Sequence, residues 1–225
     1  MNTDYTEKSV GVIGRFCPPH IGTQQLLGVA FAEYDYVRIG IGSANRGTAE
    51  LAYSARTPFS VADTRTMLEL LIAEGVQEGR IAQKPYDIVP VTDFFGAVDT
   101  DGTSLWVKHV QSQFTGIQDM LTGNPYVAEL LEPHFNIVNP FVAYDLPQCV
   151  RASKVRQAIA IGENWTHLVP HCVGMYISKN GLDSYVQTQF RSELATQKFL
   201  DVDTLAQERA QVLGEMQVLP DLSIR

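Results

Sequence analysis

The residues best suited to chemistry lie in one short stretch near the start of the sequence. Arg15 and His20 stand beside two glycines, Gly14 and Gly22, in the segment GRFCPPHIG. An arginine can form paired hydrogen bonds with a phosphate, and a histidine can donate to charge that develops during a reaction. Glycines let the backbone approach a ligand closely. The stretch therefore indicates a site for a nucleotide triphosphate.

The sequence on either side predicts a strand before this stretch and a helix after it. Residues Ser9 to Gly14 form an apolar run, and apolar residues recur at helical spacing from Gln24 to Tyr34. In open α/β sheets such a turn lies at the carboxyl edge of the strands, where ligands bind, and the positive end of the helix faces the ligand. The alternative is an ordinary connection with an incidental Arg15 and a core His20.

Composition limits the classes of function. The chain has 225 residues, of which 45% are hydrophobic and 19% charged, as in ordinary globular proteins. Its net charge of −8 argues against nucleic-acid partners and membrane surfaces, because both need a basic surface. The three cysteines lack the spacing of a zinc site or a disulfide framework, and the first eight residues are polar. We therefore expect a cytoplasmic protein.

Strand and helix patterns alternate along the rest of the chain. Further strands are predicted at Tyr36–Gly42, Tyr86–Val91, Ile117–Thr122 and Asn136–Asn139. Such alternation is typical of a parallel sheet with helices on both faces. The predicted fold class is therefore α/β, Rossmann-like, with a helical C-terminal segment from about Leu182 to Leu219 that packs on the core or on a second subunit.

Capping residues set the predicted helix bounds. Helices are predicted from a capping box of Ser60 and Asp63 to a stop at Gly75, from a cap at Ser104, from an N-cap at Asn124 with Pro125 through Leu131, from Arg151 to Gly162, and from Leu168-Val169-Pro170 onward. The segment 45–55 has no sustained period, so we expect a mobile loop over the sheet edge.

Several short motifs occur in one order along the chain. They are Ile13-Gly14-Arg15-Phe16 with Pro18, His20 and Gly22; the segment 39–44; Arg56 with Pro58-Phe59; the segment 89–93 followed by Leu105-Trp106-Val107; Thr122-Gly123-Asn124-Pro125; and the segments 162–165 and 167–170. Over roughly the first 175 residues, the sequence resembles the nucleotidylyltransferase superfamily and, within it, the archaeal-type nicotinamide-nucleotide (NMN) adenylyltransferases.

The resemblance implies AMP transfer from ATP to NMN, giving NAD and pyrophosphate. It implies a catalytic domain over residues 1–175 and a homo-oligomer, and the helical segment predicted above then forms an extension over residues 176–225. Mg²⁺ would enter with ATP. The implied catalytic residues are His20, Arg15 and Arg156; the implied ATP-binding residues are Gly14, Phe16, Gly22, Thr23, Gly123, Asn124 and Ser153; the implied NMN-binding residues are Ser43, Arg56, Asp93 and Trp106.

The sequence departs from the family pattern at three places. Thr23 stands where the family has a second signature histidine, and Cys17 stands where it has a glutamine. The segment 150–156 stands where the family usually has S-G-T-x-I/V-R: Ser153 keeps a hydroxyl and Arg156 keeps the cation, but Arg151 and Lys154 are new charges. Because threonine cannot carry charge, we expect a slower enzyme, and Lys154 or Arg46 is a candidate to replace the missing cation.

Two alternative functions stay open at this stage. One is another small-molecule adenylyl- or cytidylyltransferase, such as one acting on pantetheine phosphate. This alternative does not explain Trp106 and the Gly123-Asn124-Pro125 segment. The other is a noncatalytic nucleotide-binding relative that lost turnover with its second histidine, and Thr23 favours it.

Overall fold

Five parallel strands form the centre of the fold. A computed structural model of the chain describes residues 8–47, 52–94, 101–146 and 150–196, with backbone alone for 101–104. The strands are β1 (Ser9–Gly14), β2 (Tyr36–Gly42), β3 (Tyr86–Val91), β4 (Asp119–Leu121) and β5 (Asn136–Val138). Their order in the sheet is β3-β2-β1-β4-β5. All five predicted strands are present, and the last two are shorter than the apolar runs suggested.

The helices connect the strands and follow them. They are α1 (Ile21–Glu33), α2 (Val61–Gln77), α3 (Asp101–Gln113), α4 (Pro125–Leu131), α5 (Pro140–Ala143), α6 (Ala152–Ile161), α7 (His171–Lys179) and α8 (Leu182–Thr196), with a 3₁₀ turn at Thr166–Leu168. Several predicted caps are confirmed. Ser60 and Asp63 form a capping box, Asn124 precedes Pro125 as an N-cap, and Gly162 ends α6 with a positive φ of 78°.

Each face of the sheet carries its own apolar core. The larger core joins Val10 and Val12 of β1 with α1, α2, α6, α7 and α8. The smaller core lies on the other face, where Phe114 and Met120 pack with Val110 of α3 and Leu131 of α4. Side chains alternate between faces along a strand, so one strand supplies both cores. The predicted Rossmann-like sheet with helices on both faces is confirmed.

Four predicted helix bounds are wrong. Gly75 was expected to end α2, but the helix continues to Gln77. The glycine is needed there because a Cβ at this position would lie 2.6 Å from Cδ1 of Ile81. Ser104 was expected to cap α3, but the helix begins earlier, at Asp101. α1 also begins earlier than the periodicity indicated, at Ile21, and α7 begins later than the predicted Leu168, at His171.

The last described helices pack on the larger core. Ile177 of α7 and Val186 and Leu194 of α8 are fully buried there. The hydroxyl of Tyr176 donates to Asp63 of α2 at 2.9 Å. The predicted helical segment is thus present up to Thr196, and its remainder lies outside the described residues. The domain division after residue 175 stays a prediction. No helix in the described ranges is both long enough and apolar enough to cross a membrane.

Candidate functional site

Sheet topology brings the predicted site residues to one edge. The order β3-β2-β1-β4-β5 reverses direction at β1 and β4, and ligands of open α/β sheets bind at the carboxyl ends beside such a reversal. Arg15 follows β1 directly, Ser43 follows β2, Asp93 lies two residues after β3, and Gly123 lies two residues after β4. Each of these positions is therefore at the carboxyl edge.

The loop after β1 places His20 at the beginning of α1. His20 is the N-cap residue of the helix, with extended backbone, and its ring is half-buried. The Nδ1 atom of the ring is buried and has no hydrogen-bond partner among the described residues. An N-cap lies beside the free N–H groups and positive dipole of the helix, which favour a negatively charged ligand. The arrangement suits phosphate binding.

Thr23, which replaces the second signature histidine, has a structural contact in this chain. Its side chain is buried, and its hydroxyl oxygen accepts a hydrogen bond from the backbone N–H of His20 at 3.2 Å. A residue at this position of the first turn that pairs with the N-cap N–H forms half of a capping box. Thr23 therefore holds the backbone of His20; its predicted contact with ATP stays a prediction.

Replacing Thr23 with alanine is expected to lower the free energy of unfolding by about 1 kcal/mol, because the N–H of His20 loses its acceptor. Thr23→Ser keeps the hydroxyl and is the matched control. Urea unfolding followed by circular dichroism measures both variants. Equal stability of Thr23→Ala and Thr23→Ser would show that the bond does not stabilise the loop.

Arg156 reaches the same loop from α6. The side chain is buried, and Nη1 donates to the carbonyl oxygen of Cys17 at 2.7 Å. Its Nε is also buried and has no partner in the described part of the chain. Burial lowers the pKa of Arg156 to about 10, and the positive charges of Arg15 and Arg56 act in the same direction. Arg156 therefore remains charged at neutral pH.

His20 is neutral under the same conditions. Burial lowers its pKa to about 4, from an ordinary value of 6.5, and the nearby charge of Arg156 lowers it further. A neutral imidazole carries one N–H and one free acceptor nitrogen. At neutral pH, His20 can therefore act as a hydrogen-bond donor without adding a positive charge.

Three arginines, Arg15, Arg56 and Arg156, form an arginine cluster. Burial lowers the pKa of Arg15, followed by the charge of Arg56, while Asp93 raises it. None of the three forms an ion pair with a carboxylate in the ranges that the structure describes. Neighbouring positive charges repel one another, so the cluster is suited to a multiply charged anion.

A small cleft lies beside this cluster. Its lining includes Arg15, the end of β2 at Gly42, the buried Ser43, and Thr57 and Phe59 ahead of α2. Arg56 occupies an exposed turn between Ser54 and Thr57, whose backbones bond to each other. The structure thus brings Arg15, Ser43 and the Arg56 turn together, as the sequence predicted.

Gly22 allows the β1 loop and α6 to approach closely. A Cβ at Gly22 would lie 3.1 Å from Nδ1 of His20 and 3.3 Å from the carbonyl oxygen of Val150. Any larger residue would push the imidazole or the segment before α6 away. Gly22 therefore contributes to the site by leaving room for this close approach. Ser153 is half-buried in the first turn of α6.

Three more of the predicted residues have identifiable structural contacts. Trp106 is half-buried and packs against the smaller core. The Oδ1 atom of Asn124 accepts from the N–H groups of Tyr126 at 3.0 Å and Val127 at 3.4 Å, so it caps α4. A Cβ at Gly123 would lie 2.0 Å from the ring of Phe141. Their ligand-binding roles stay predictions.

The two candidates to replace the missing cation differ in position. The charge of Arg46 contributes to lowering the pKa of Arg15, which places Arg46 near the arginine cluster. Lys154 is exposed on α6.

Cys17 and Cys172 are free thiols, and burial raises the pKa of Cys17 to about 11. Cys17 therefore serves the site through its backbone carbonyl.

One contact in the site was not expected from the sequence. The side chain of Asn45 forms two hydrogen bonds with the backbone of Asp93, at 2.9 and 3.1 Å. The sequence placed Asn45 in a featureless loop. No local pattern distinguishes this asparagine, because its partner lies 48 residues away.

Comparison with known proteins identifies the family. No protein-family model matches the sequence. The chain is 30% identical to the nicotinamide-nucleotide adenylyltransferase of Pyrococcus furiosus over 169 residues, which is 74% of this chain and 81% of the relative. It is 31% identical to that of Caldivirga maquilingensis over 168 residues, which is 74% of this chain and 85% of the relative.

Solved structures share the fold at lower identity. A bifunctional NMN adenylyltransferase/ADP ribose pyrophosphatase from Francisella tularensis, complexed with AMP and a Mn ion, matches with a TM-score of 0.60 and 18% identity, over 93% of this chain and 56% of that one. The nicotinic acid mononucleotide adenylyltransferase of Plasmodium falciparum matches with a TM-score of 0.51 and 10% identity, over 79% of this chain and 98% of that one. On the sequence matches to the archaeal relatives, this chain belongs to the nicotinamide-nucleotide adenylyltransferase family.

Proposed function

We propose that the chain transfers AMP from ATP to NMN, giving NAD and pyrophosphate. The observation that carries the proposal is the arginine cluster, whose three charges lie at the carboxyl edge of the sheet beside the neutral His20. The phosphates of ATP and NMN supply negative charge that offsets the repulsion between these arginines. Membership of the family and the resemblance of the motifs supply the identity of the two substrates.

The chemistry needs positioning and charge neutralisation. An oxygen of the NMN phosphate attacks the α-phosphorus of ATP and forms the new phosphoanhydride bond. The bond from the α-phosphorus to the bridging oxygen breaks, and pyrophosphate leaves with the electron pair. Arg15 and Arg156 neutralise charge on the phosphates, and His20 donates a hydrogen bond to a phosphate oxygen. Arg56 holds the phosphate of NMN, Trp106 stacks on the nicotinamide ring, and Asp93 contacts the amide or the ribose.

We propose that Mg²⁺ enters as part of the MgATP substrate. Mg²⁺ keeps several waters and is usually bound by substrate phosphates with one or two carboxylates. The described residues contain no group of three or more His, Cys, Asp or Glu side chains that could hold a metal ion. The basic lining of the site fits an ion held mainly by phosphate oxygens and water.

The test is NAD formation by the purified protein from ATP, NMN and Mg²⁺, measured by chromatography together with pyrophosphate release. Equal amounts of NAD and pyrophosphate are expected, and none without NMN. Pantetheine phosphate in place of NMN tests the alternative acceptor. Absence of NAD, with calorimetric binding of ATP, would instead support a noncatalytic nucleotide-binding protein.

A further inference from the structure

We infer that Asn45 is a positioning residue that fixes Asp93 for contact with NMN. The inference rests on the proposed function, because it is that function which assigns Asp93 to the NMN site. Asn45 itself need not touch either substrate. Its expected effect is on the affinity for NMN rather than on the affinity for ATP.

The first observation is the pair of hydrogen bonds between the two residues. Nδ2 of Asn45 donates to the carbonyl oxygen of Asp93 at 2.9 Å, and the N–H of Asp93 donates to Oδ1 of Asn45 at 3.1 Å. One side-chain amide therefore satisfies both backbone groups of Asp93. A primary amide supplies a donor and an acceptor side by side, whereas a carboxylate or a hydroxymethyl group does not.

The second observation is where this contact lies along the sheet. The pairing of β2 with β3 ends at Gly42 and Val91, and the N–H of Ala44 then donates to the carbonyl of Val91 at 3.0 Å. Asn45 bonds to the backbone two residues further along. The side chain thus continues the ladder beyond the end of the strands. In the described ranges, the backbone of β2 and of the residues after it forms no hydrogen bond with the backbone of Asp93, so the Asn45 side chain is what holds it.

The third observation is that Asp93 lies near the arginine cluster and directly before a residue that contacts α3. The pKa of Arg15 is lowered by burial and by Arg56, and the charge of Asp93 acts in the opposite direction, which places Asp93 near Arg15. The next residue, Phe94, contacts His109 of α3 edge-on, with ring centroids 5.4 Å apart. His109 lies one helical turn after Trp106, so α3 carries both residues on one side. Asn45 therefore fixes the backbone of Asp93, next to Phe94, which contacts the helix bearing Trp106.

The experiment compares Asn45→Ala with wild-type protein in steady-state NAD formation. We expect the KM for NMN to rise roughly tenfold, with the KM for ATP and kcat each changed less than about threefold. Asn45→Asp is the second variant: it keeps the shape and the acceptor but loses the donor, so we expect the same direction of change. The matched control is Asn136→Ala, which removes a bond of 2.8 Å to Asp119 at the opposite edge of the sheet.

A double-mutant cycle shows whether Asn45 acts through Asp93. If it does, Asn45→Ala adds little to the effect of Asp93→Ala on the KM for NMN, whereas independent contributions multiply. Protection of the Asp93 amide against hydrogen exchange is a second readout, and it does not need activity. We expect protection in the wild type and its loss in Asn45→Ala.

The outcomes separate the two proposals. Wild-type protein that makes no NAD overturns the proposed function, and this inference falls with it. Wild-type protein that makes NAD, with an unchanged KM for NMN in Asn45→Ala, overturns the inference alone. Equal rises in the KM values for NMN and ATP, or multiplicative effects in the cycle, also overturn it.

Discussion

Replacing Arg156 with alanine is expected to lower kcat for NAD formation about 100- to 1000-fold, the usual effect of removing one donor to charge in a transition state. The guanidinium is buried, and one of its nitrogens is held by the carbonyl of Cys17. This bond fixes the plane of the group and leaves other N–H groups for a phosphate. Arg156→Lys keeps the charge but loses the planar fork, so we expect it to recover little of the activity.

The matched control for this variant is Arg65→Ala. Arg65 also donates to a backbone carbonyl, that of Ile88 at 2.6 Å, but it lies on α2 outside the arginine cluster. Steady-state kinetics measure kcat, and thermal unfolding shows whether Arg156→Ala stays folded. A folded Arg156→Ala with kcat within tenfold of wild type would exclude the catalytic role.

Replacing His20 with alanine is expected to reduce kcat about 100-fold by removing a hydrogen-bond donor from the site. The residue acts in its neutral form, because burial and Arg156 lower its pKa to about 4. Asn is the conservative replacement, since its amide retains a donor at short reach. Steady-state kinetics of His20→Ala and His20→Asn should therefore differ, with higher kcat for His20→Asn.

The pH dependence gives an independent check on the state of His20. In the free enzyme, lowering the pH protonates His20 only near pH 4, so kcat/KM for ATP should show no step from this residue between about pH 5.5 and pH 8.

The free energy of unfolding should fall as the pH is lowered. The unfolded chain binds a proton at His20 below its ordinary pKa of 6.5, so the contribution of the neutral ring is complete above pH 6.5 and is lost as pH falls from there towards 4. A step in kcat/KM near pH 6.5 that disappears in His20→Asn would contradict this assignment.

The strands and most helix ends could be predicted because their causes are local. Apolar runs such as Tyr36–Gly42 and capping pairs such as Ser60 and Asp63 carry their own signal. Gly75 misled the prediction because a glycine within a helix and a glycine after a helix look alike in sequence. Position 75 requires a glycine because Ile81, in the segment after the helix, packs where a Cβ would lie.

The candidate site was predictable in part for the same reason. Arg15, His20 and Gly22 lie within one motif, so resemblance was sufficient to select them. Two hydrogen bonds form only in the folded chain: the one between the Thr23 hydroxyl and the His20 backbone, and the one between the Asn45 amide and the Asp93 backbone. The first could be suspected from capping rules, but the second joins two loops that sequence spacing does not relate.

The bond from Arg156 to the Cys17 carbonyl also determines when the site can exist. The two residues are 139 positions apart, so this contact of the β1 loop forms only when α6 packs beside it. The cost of closing so long a chain segment is entropic and is met by the rest of the fold. A nucleotide that needs both residues binds only the fully assembled chain, and at 100 times its dissociation constant it would stabilise that chain by about 2.7 kcal/mol. Cellular ATP would in this way protect the docked α6 against local opening, so that supply of substrate and survival of the protein are linked.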